Sequence, residues 1–293
     1  MLEQQFHNYL IGVLFIFDCE KKLQCEVLQN IKKEFLNSKT SINMALQEEL
    51  EQQGIWLFKY RGKLPVIVLL IGIILYLQTK IYPNTFFIED TPYEIYYEFF
   101  CLTISLLGLG IRIYTVGHTP KNTSGRNRNE QIAETINTSG SYSVVRHPLY
   151  LGNFFMWMGP ALLSGNFWFL VAFCFFYWIY YERIMFAEEQ FLRRKFGTIY
   201  TDWAEKVPAF TPNFKKFKKP ELAFSWIKII KKEINGIAGI FIIFSFFDLA
   251  GHFIQNENNY NYFIIILCVL TIVMNLIMRY IKKRTTLLND MGD

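Results

Sequence analysis

From residue 64 onward the apolar positions gather into six long runs separated by polar stretches, at about 64–82, 95–117, 148–163, 167–181, 237–254 and 262–281. A bilayer core asks for roughly 20 mostly apolar residues per helix. The pattern therefore predicts an all-α, polytopic integral membrane protein with about six transmembrane helices. The third and fourth runs are short and are separated only by Ser164, Gly165 and Asn166, a turn composition that predicts a tight helical hairpin. The apolar stretch 9–17 is too brief for a span and lacks the basic flank and cleavage site of a signal peptide.

Upstream of these runs, residues 18–53 alternate charged and apolar positions at helical spacing, as in Leu23, Val27, Ile31 and Phe35. That spacing predicts an amphipathic helix on the membrane surface or against a partner. No repeat of fixed period is present. The chain thus reads as an amphipathic N-terminal region (1–63), a membrane core (64–212), and a basic linker with two further spans (213–293).

Composition agrees with a membrane protein and narrows the alternatives. Of 293 residues, 52% are hydrophobic and 18% aromatic, and the mean hydropathy is +0.18, which excludes a disordered or nucleic-acid-binding tail protein. The net charge of +5 is segregated: 27 of the 30 Lys and Arg residues fall in 1–63, 118–147, 182–235 and 282–284. Because basic residues concentrate on the cytoplasmic side, both termini and the two long polar segments are expected in the cytoplasm. The lysines at 215, 216, 218 and 219 suit anionic headgroups. Five cysteines without C-x-x-C spacing predict neither a disulfide framework nor a metal site.

The densest polar constellation is Thr138-Ser-Gly-Ser-Tyr-Ser-Val-Val-Arg-His-Pro-Leu-Tyr-Leu-Gly-Asn153, leading from a polar loop into the third run. Pro148 suits the first turn of a helix and biases His147 toward an extended backbone. Arg146 and His147 would then stand at a helix mouth. The donors of that first turn favour an anion, while Tyr142 and Tyr150 offer ring faces to a cation. Together they describe a zwitterionic ligand, or else an interfacial belt that merely anchors the helix end.

A second constellation, Glu182-Arg-Ile-Met-Phe-Ala-Glu-Glu-Gln-Phe-Leu-Arg-Arg-Lys-Phe-Gly197, follows the fourth run. On a helix Tyr181, Ile184, Glu188, Phe191 and Lys195 share a stripe, so Glu188 sits within an apolar face and needs a partner. Glu189 is expected to form an ordinary surface pair with Arg193 four residues on. Gly197 is expected to cap the helix.

These two blocks, with Phe196-Gly197, Tyr200 and Val207-Pro208, resemble the isoprenylcysteine carboxyl methyltransferases and their phospholipid methyltransferase relatives over about residues 95–212. The resemblance implies a membrane enzyme that takes S-adenosylmethionine from the cytosol. Its cofactor contacts would fall on Glu134, Thr135, Ile136, Asn137, Tyr142, His147, Pro148, Leu149, Tyr150 and Glu188. The reaction side of the site would fall on Arg146, Arg183 and Glu189, with Arg183 standing one residue out of the family's usual register.

Arginines near the loops, Arg126, Arg128, Arg146 and Arg183, favour an anionic acceptor, hence a carboxylate or phosphate of a lipid or lipid-linked substrate. Such an acceptor needs alignment and no general base. The rich Ile, Asn, Lys and Phe usage suits a bacterial AT-rich genome, and with it a bacterial inner membrane as the location. Two other readings use the same residues differently. A sterol-reductase-like enzyme binding a nicotinamide dinucleotide is disfavoured by Pro148, and Gly108-Leu-Gly110 reads as span packing. A transporter or scaffold would use Arg112 or the Asp248 and His252 pair.

Overall fold

The computed structural model describes residues 45–62, 64–86, 88–89, 91–120, 133–256 and 260–284. The expected helix at 18–53 lies outside them except for its last residues, as do the stretch 9–17, Arg126 and Arg128. Eight α-helices follow in order: α1 (Leu46–Tyr60), α2 (Leu64–Ile81), α3 (Glu94–Gly117), α4 (Pro148–Leu163), α5 (Phe167–Phe196), α6 (Thr198–Ala204), α7 (Trp226–Gln255) and α8 (Tyr262–Arg284). From Glu49 onward they belong to one compact unit. Among the described residues no strand forms, and one antiparallel bridge joins Gly140 to Lys218.

Among the described residues four helices are long and apolar enough to cross a membrane: Glu94–Gly117, Phe167–Phe196, Trp226–Gln255 and Tyr262–Ile281. The bent pair Leu46–Tyr60 and Pro65–Ile81 would make a fifth. The expected count of about six is not reached, chiefly because α4 has only 16 residues. At about 1.5 Å per residue it falls short of a hydrocarbon core about 30 Å thick.

The hairpin expected at Ser164–Asn166 is present. Gly165 takes φ +67°, a left-handed conformation that disfavours a side chain, and Asn166 caps α5 by accepting from the Phe169 amide at 2.9 Å. From this turn α5 runs unbroken for 30 residues, about 45 Å. The run at 167–181 and the charged block at 182–196 are thus one helix, whose far end projects beyond a bilayer core. Its end follows the sequence expectation, with the Gly197 amide donating to Arg193 O at 2.9 Å.

Helices α3 and α4 approach so closely that a β-carbon on Gly108 would lie 2.4 Å from Gly152 O, and one on Gly159 2.5 Å from Cys101 O. Small residues at such crossings let backbones meet, which bears out packing as the role of Gly108. Pro160 inside α4 removes the donor for Met156 O, and Ser105 Oγ on α3 supplies one at 3.0 Å. Cys101, Leu102 and Leu109 of α3 then share a core with Phe241, Phe244 and Phe247 of α7. A second, aromatic core joins Phe58 of α1 to Phe173, Tyr177, Tyr180 and Tyr181 of α5.

The bundle has two polar ends. At one, Lys80 pairs with Glu89 at 2.7 Å and with Glu94, and Gln255 donates to Glu89 at 3.3 Å. Near this end Asp248 and His252 lie 3.6 Å apart across one helical turn, and Asp248 also accepts from the Asn261 amide. The pair is part of the bundle's internal packing. The other end collects the C-termini of α3 and α5 and the N-termini of α4 and α7.

Candidate functional site

The turn into α4 is held from behind by the chain that follows α6. The Arg146 amide donates to Pro208 O at 2.9 Å, the His147 amide to Ala209 O at 3.2 Å, and the Asn213 amide to Val144 O at 3.0 Å. Gly140 starts the turn at φ +59°. Helix α4 begins at Pro148, as the proline predicts, and His147 is its N-terminal boundary residue; with φ −120° and ψ 61° its backbone is non-helical but falls short of the extended conformation expected before a proline. The Tyr150 amide turns back to His147 O at 3.2 Å, so this first-turn donor is spent within the turn.

His147 is 7% exposed, and both of its ring nitrogens face carboxylates of α5. Nε2 is 3.0 Å from Glu189 Oε1, and Nδ1 is 3.6 Å from Glu188 Oε2. Glu188 also accepts from the Tyr150 hydroxyl at 2.6 Å. The partners that its apolar face demanded are thus the histidine that precedes α4 and a tyrosine in its first turn. The rings of His147 and Tyr150 stack with centroids 5.8 Å apart, and Tyr150 packs against Tyr181 at 4.9 Å.

Glu189 departs from the surface pairing expected with Arg193. Its side chain is 14% exposed and bridges His147 and Arg146, whose Nε lies 3.0 Å away. Arg193 stays exposed and acts on Glu189 only as a further nearby charge. Spacing along α5 offered Arg193 as the partner, but the turn into α4 brings a guanidinium and an imidazole against the same carboxylate. Arg146 also donates to Ala204 O at 2.8 Å, tying α6 to the site. Arg183 pairs with its neighbour Glu182 at 3.3 Å rather than with Glu188 or Glu189.

The loop residues divide. Glu134 and Thr135 are exposed, whereas Ile136 and Asn137 are half-buried. Asn137 hydrogen-bonds Tyr142, whose hydroxyl burial pushes above its ordinary pKa. The phenol therefore stays a neutral donor at physiological pH. The same holds for the fully buried Tyr200, raised first by burial and then by Glu189. Pro148 is buried and Leu149 half-buried at the head of α4.

A polar chain behind Tyr150 was not foreseen. Arg112 of α3 donates twice to Glu233 of α7, at 2.7 and 2.8 Å, and once to Asn153 Oδ1 at 2.8 Å. Asn153 in turn hydrogen-bonds Tyr181. Tyr177 stacks on Tyr181 at 4.2 Å and donates to Tyr150 O at 2.7 Å. The intramembrane position of Arg112 was the available signal, because such a charge demands a partner. Glu233 gave none, since it stands among lysines in a segment that reads as a polar loop.

A lipid-exposed helical bundle with half-buried carboxylates and a tyrosine gathered around a buried imidazole at one end defines an integral membrane protein with an enzyme-like site. The phospholipid methyltransferase family model matches residues 100–199, the central third of the chain. The chain is 38% identical over 76 residues to a protein-S-isoprenylcysteine O-methyltransferase of Schizosaccharomyces pombe, covering 26% of this chain and 32% of that protein. It is 31% identical over 117 residues to protein-S-isoprenylcysteine O-methyltransferase B of Arabidopsis thaliana, covering 39% and 58%. A nickel-cobalt-cadmium resistance protein of Alcaligenes xylosoxydans xylosoxydans is 26% identical over 156 residues, covering 52% and 70%. The match thus spans about a third of the first relative and over half of the second. No solved structure matches the chain.

Proposed function

We propose that the protein is an S-adenosylmethionine-dependent methyltransferase acting on a carboxylate or phosphate of a lipid or lipid-linked substrate at the membrane. The observation that carries this reading is the contact of His147 and Tyr150 with Glu188, inside the segment that matches the methyltransferase family. The donor set fits the cofactor: a carboxylate beside aromatic rings suits a cationic sulfonium and amino group, and neutral tyrosine hydroxyls suit its polar ends. When bound, the cofactor supplies a methyl carbon that forms a bond to the acceptor oxygen as its bond to sulfur breaks, leaving S-adenosylhomocysteine.

In this reading the chain's residues position and exclude water rather than move protons. An ionised oxygen acceptor has no proton to remove, so alignment does most of the work. Glu188, Tyr142, Tyr150 and His147 with Pro148 and Leu149 bind the cofactor, together with the loop from Glu134 to Asn137. Glu189 holds His147 and Arg146 in place, which makes it a positioning residue. The membrane core and the basic linker with its two helices remain the working division of the chain, with the site facing the cytoplasm of a bacterial inner membrane.

The test is binding of labelled S-adenosylmethionine to detergent-purified protein, with a nicotinamide dinucleotide and Glu188→Ala protein as controls. We expect saturable binding that the variant loses and no competition by the dinucleotide. Well-folded protein that binds only the dinucleotide would replace the proposal with a reductase; one that binds neither would end it. Positive binding leads to a methylation screen on lipid extracts, in which a labelled ester should appear.

A further inference from the structure

Between α6 and α7 the chain reads Phe-Lys-Lys twice in succession, from Phe214 to Lys219. All four lysines are exposed, and so are both rings, Phe214 at 77% and Phe217 at 52%. These phenylalanines lie outside every helix capable of spanning a membrane, so a span's lipid-facing surface does not account for them. Glu221 is the one acidic residue between Asn213 and Ser225. Helix α7, a candidate span, begins seven residues after Lys219, which holds the segment near the level where a helix leaves the bilayer. Exposed rings interleaved with ammonium groups fit that level, the rings among headgroups and the charges on their phosphates.

The backbone of the same residues clasps the turn that leads into the site. The Gly140 amide donates to Lys218 O at 3.0 Å, and the Lys218 amide donates to Ser143 Oγ at 2.9 Å. Asn213 adds its bond to Val144 O at 3.0 Å. Side chains that face outward and amides that face the turn therefore belong to one short strap.

We propose that the repeated Phe-Lys-Lys segment is a docking surface for anionic lipid headgroups of the surrounding bilayer, and that docking fastens the strap over the turn at residues 139–144. The contact is sequence-local, screened by salt, and independent of whether the site transfers methyl groups.

The experiment is amide hydrogen exchange on the whole protein in nanodiscs of phosphatidylcholine, alone or with about a third phosphatidylglycerol. In anionic discs we expect exchange of peptides covering 139–144 and 213–219 to slow by about tenfold, an effect lost at high salt. The triple variant Lys215→Gln, Lys218→Gln and Lys219→Gln should exchange alike in both discs. It spares Lys216, whose Nζ donates to Lys206 O at 2.6 Å, so the strap keeps that internal tie. Equal exchange of the unaltered protein in the two bilayers would overturn the proposal, as would slowing that survives in the triple variant. Neither readout involves a cofactor, so this result stands apart from the methyltransferase test.

Discussion

Arg112 and Glu233 face each other as a two-bonded ion pair, at 2.7 and 2.8 Å, with Glu233 2% exposed. One residue lies inside the segment that matches the methyltransferase family and the other beyond it, so α7 completes the polar framework behind the site. Removing one partner of a buried pair strands the other charge, at a cost of about 3–5 kcal/mol. We expect Glu233→Ala to lower the thermal unfolding midpoint in detergent sharply. The double variant Arg112→Met, Glu233→Leu should recover much of that loss. A double variant no more stable than the single one would show that the pair contributes through something other than its charges.

The two adjacent glutamates of α5 should separate in a binding experiment. Glu188 is placed to touch the proposed cofactor, whereas Glu189 acts through His147 and Arg146. Glu188→Ala should abolish S-adenosylmethionine binding. Glu189→Ala should weaken it by about tenfold, as expected for losing in part a hydrogen bond to a charged group worth about 1.5–3 kcal/mol, and Glu189→Gln should restore part of the affinity by keeping an acceptor for His147. Unchanged affinity for Glu189→Ala would return it to the surface role that helical spacing suggests.

How far the sequence is legible depends on whether the cause is local. The His-Pro entry to α4, the Ser164 to Asn166 turn and the Gly197 stop rest on φ preferences and capping within a few residues, and each is where the pattern puts it. The apolar runs likewise announce helices, although run length overstates the number of spans where a helix as short as α4 shelters between neighbours. Glu188 is legible as a buried charge in need of a partner, but helical spacing cannot say which helix supplies it. Glu189, Glu233 and Asn153 gain their roles from contacts between helices distant in sequence, and periodicity within one helix carries no trace of those.

Gly108 and Gly110 are two residues apart on α3 and should respond differently to a methyl group. A β-carbon at Gly108 would lie 2.4 Å from Gly152 O and 2.5 Å from the Met156 amide, both backbone atoms, whereas nothing lies within 4 Å at Gly110. Gly108→Ala must push α3 and α4 apart and should cost about 1–3 kcal/mol, read as a fall in unfolding midpoint. Gly110→Ala should be neutral. Equal midpoints for the two variants would mean that the α3 and α4 contact is looser than the distances imply.

Ser105 and Pro160 form a reciprocal pair across the same contact. Pro160 leaves Met156 O without its helical donor, and Ser105 Oγ donates to that oxygen at 3.0 Å. Losing the hydroxyl removes the donor to a half-buried carbonyl, so Ser105→Ala should cost about 1–3 kcal/mol. In a Pro160→Ala background the residue 160 amide is again available to Met156 O, and the same serine substitution should cost far less. A double-mutant cycle of unfolding free energies measures the difference directly. Coupling near zero would show that the serine hydroxyl contributes through packing beside Gly159, where a β-carbon would lie 2.0 Å from it, and not through the carbonyl that the proline exposes.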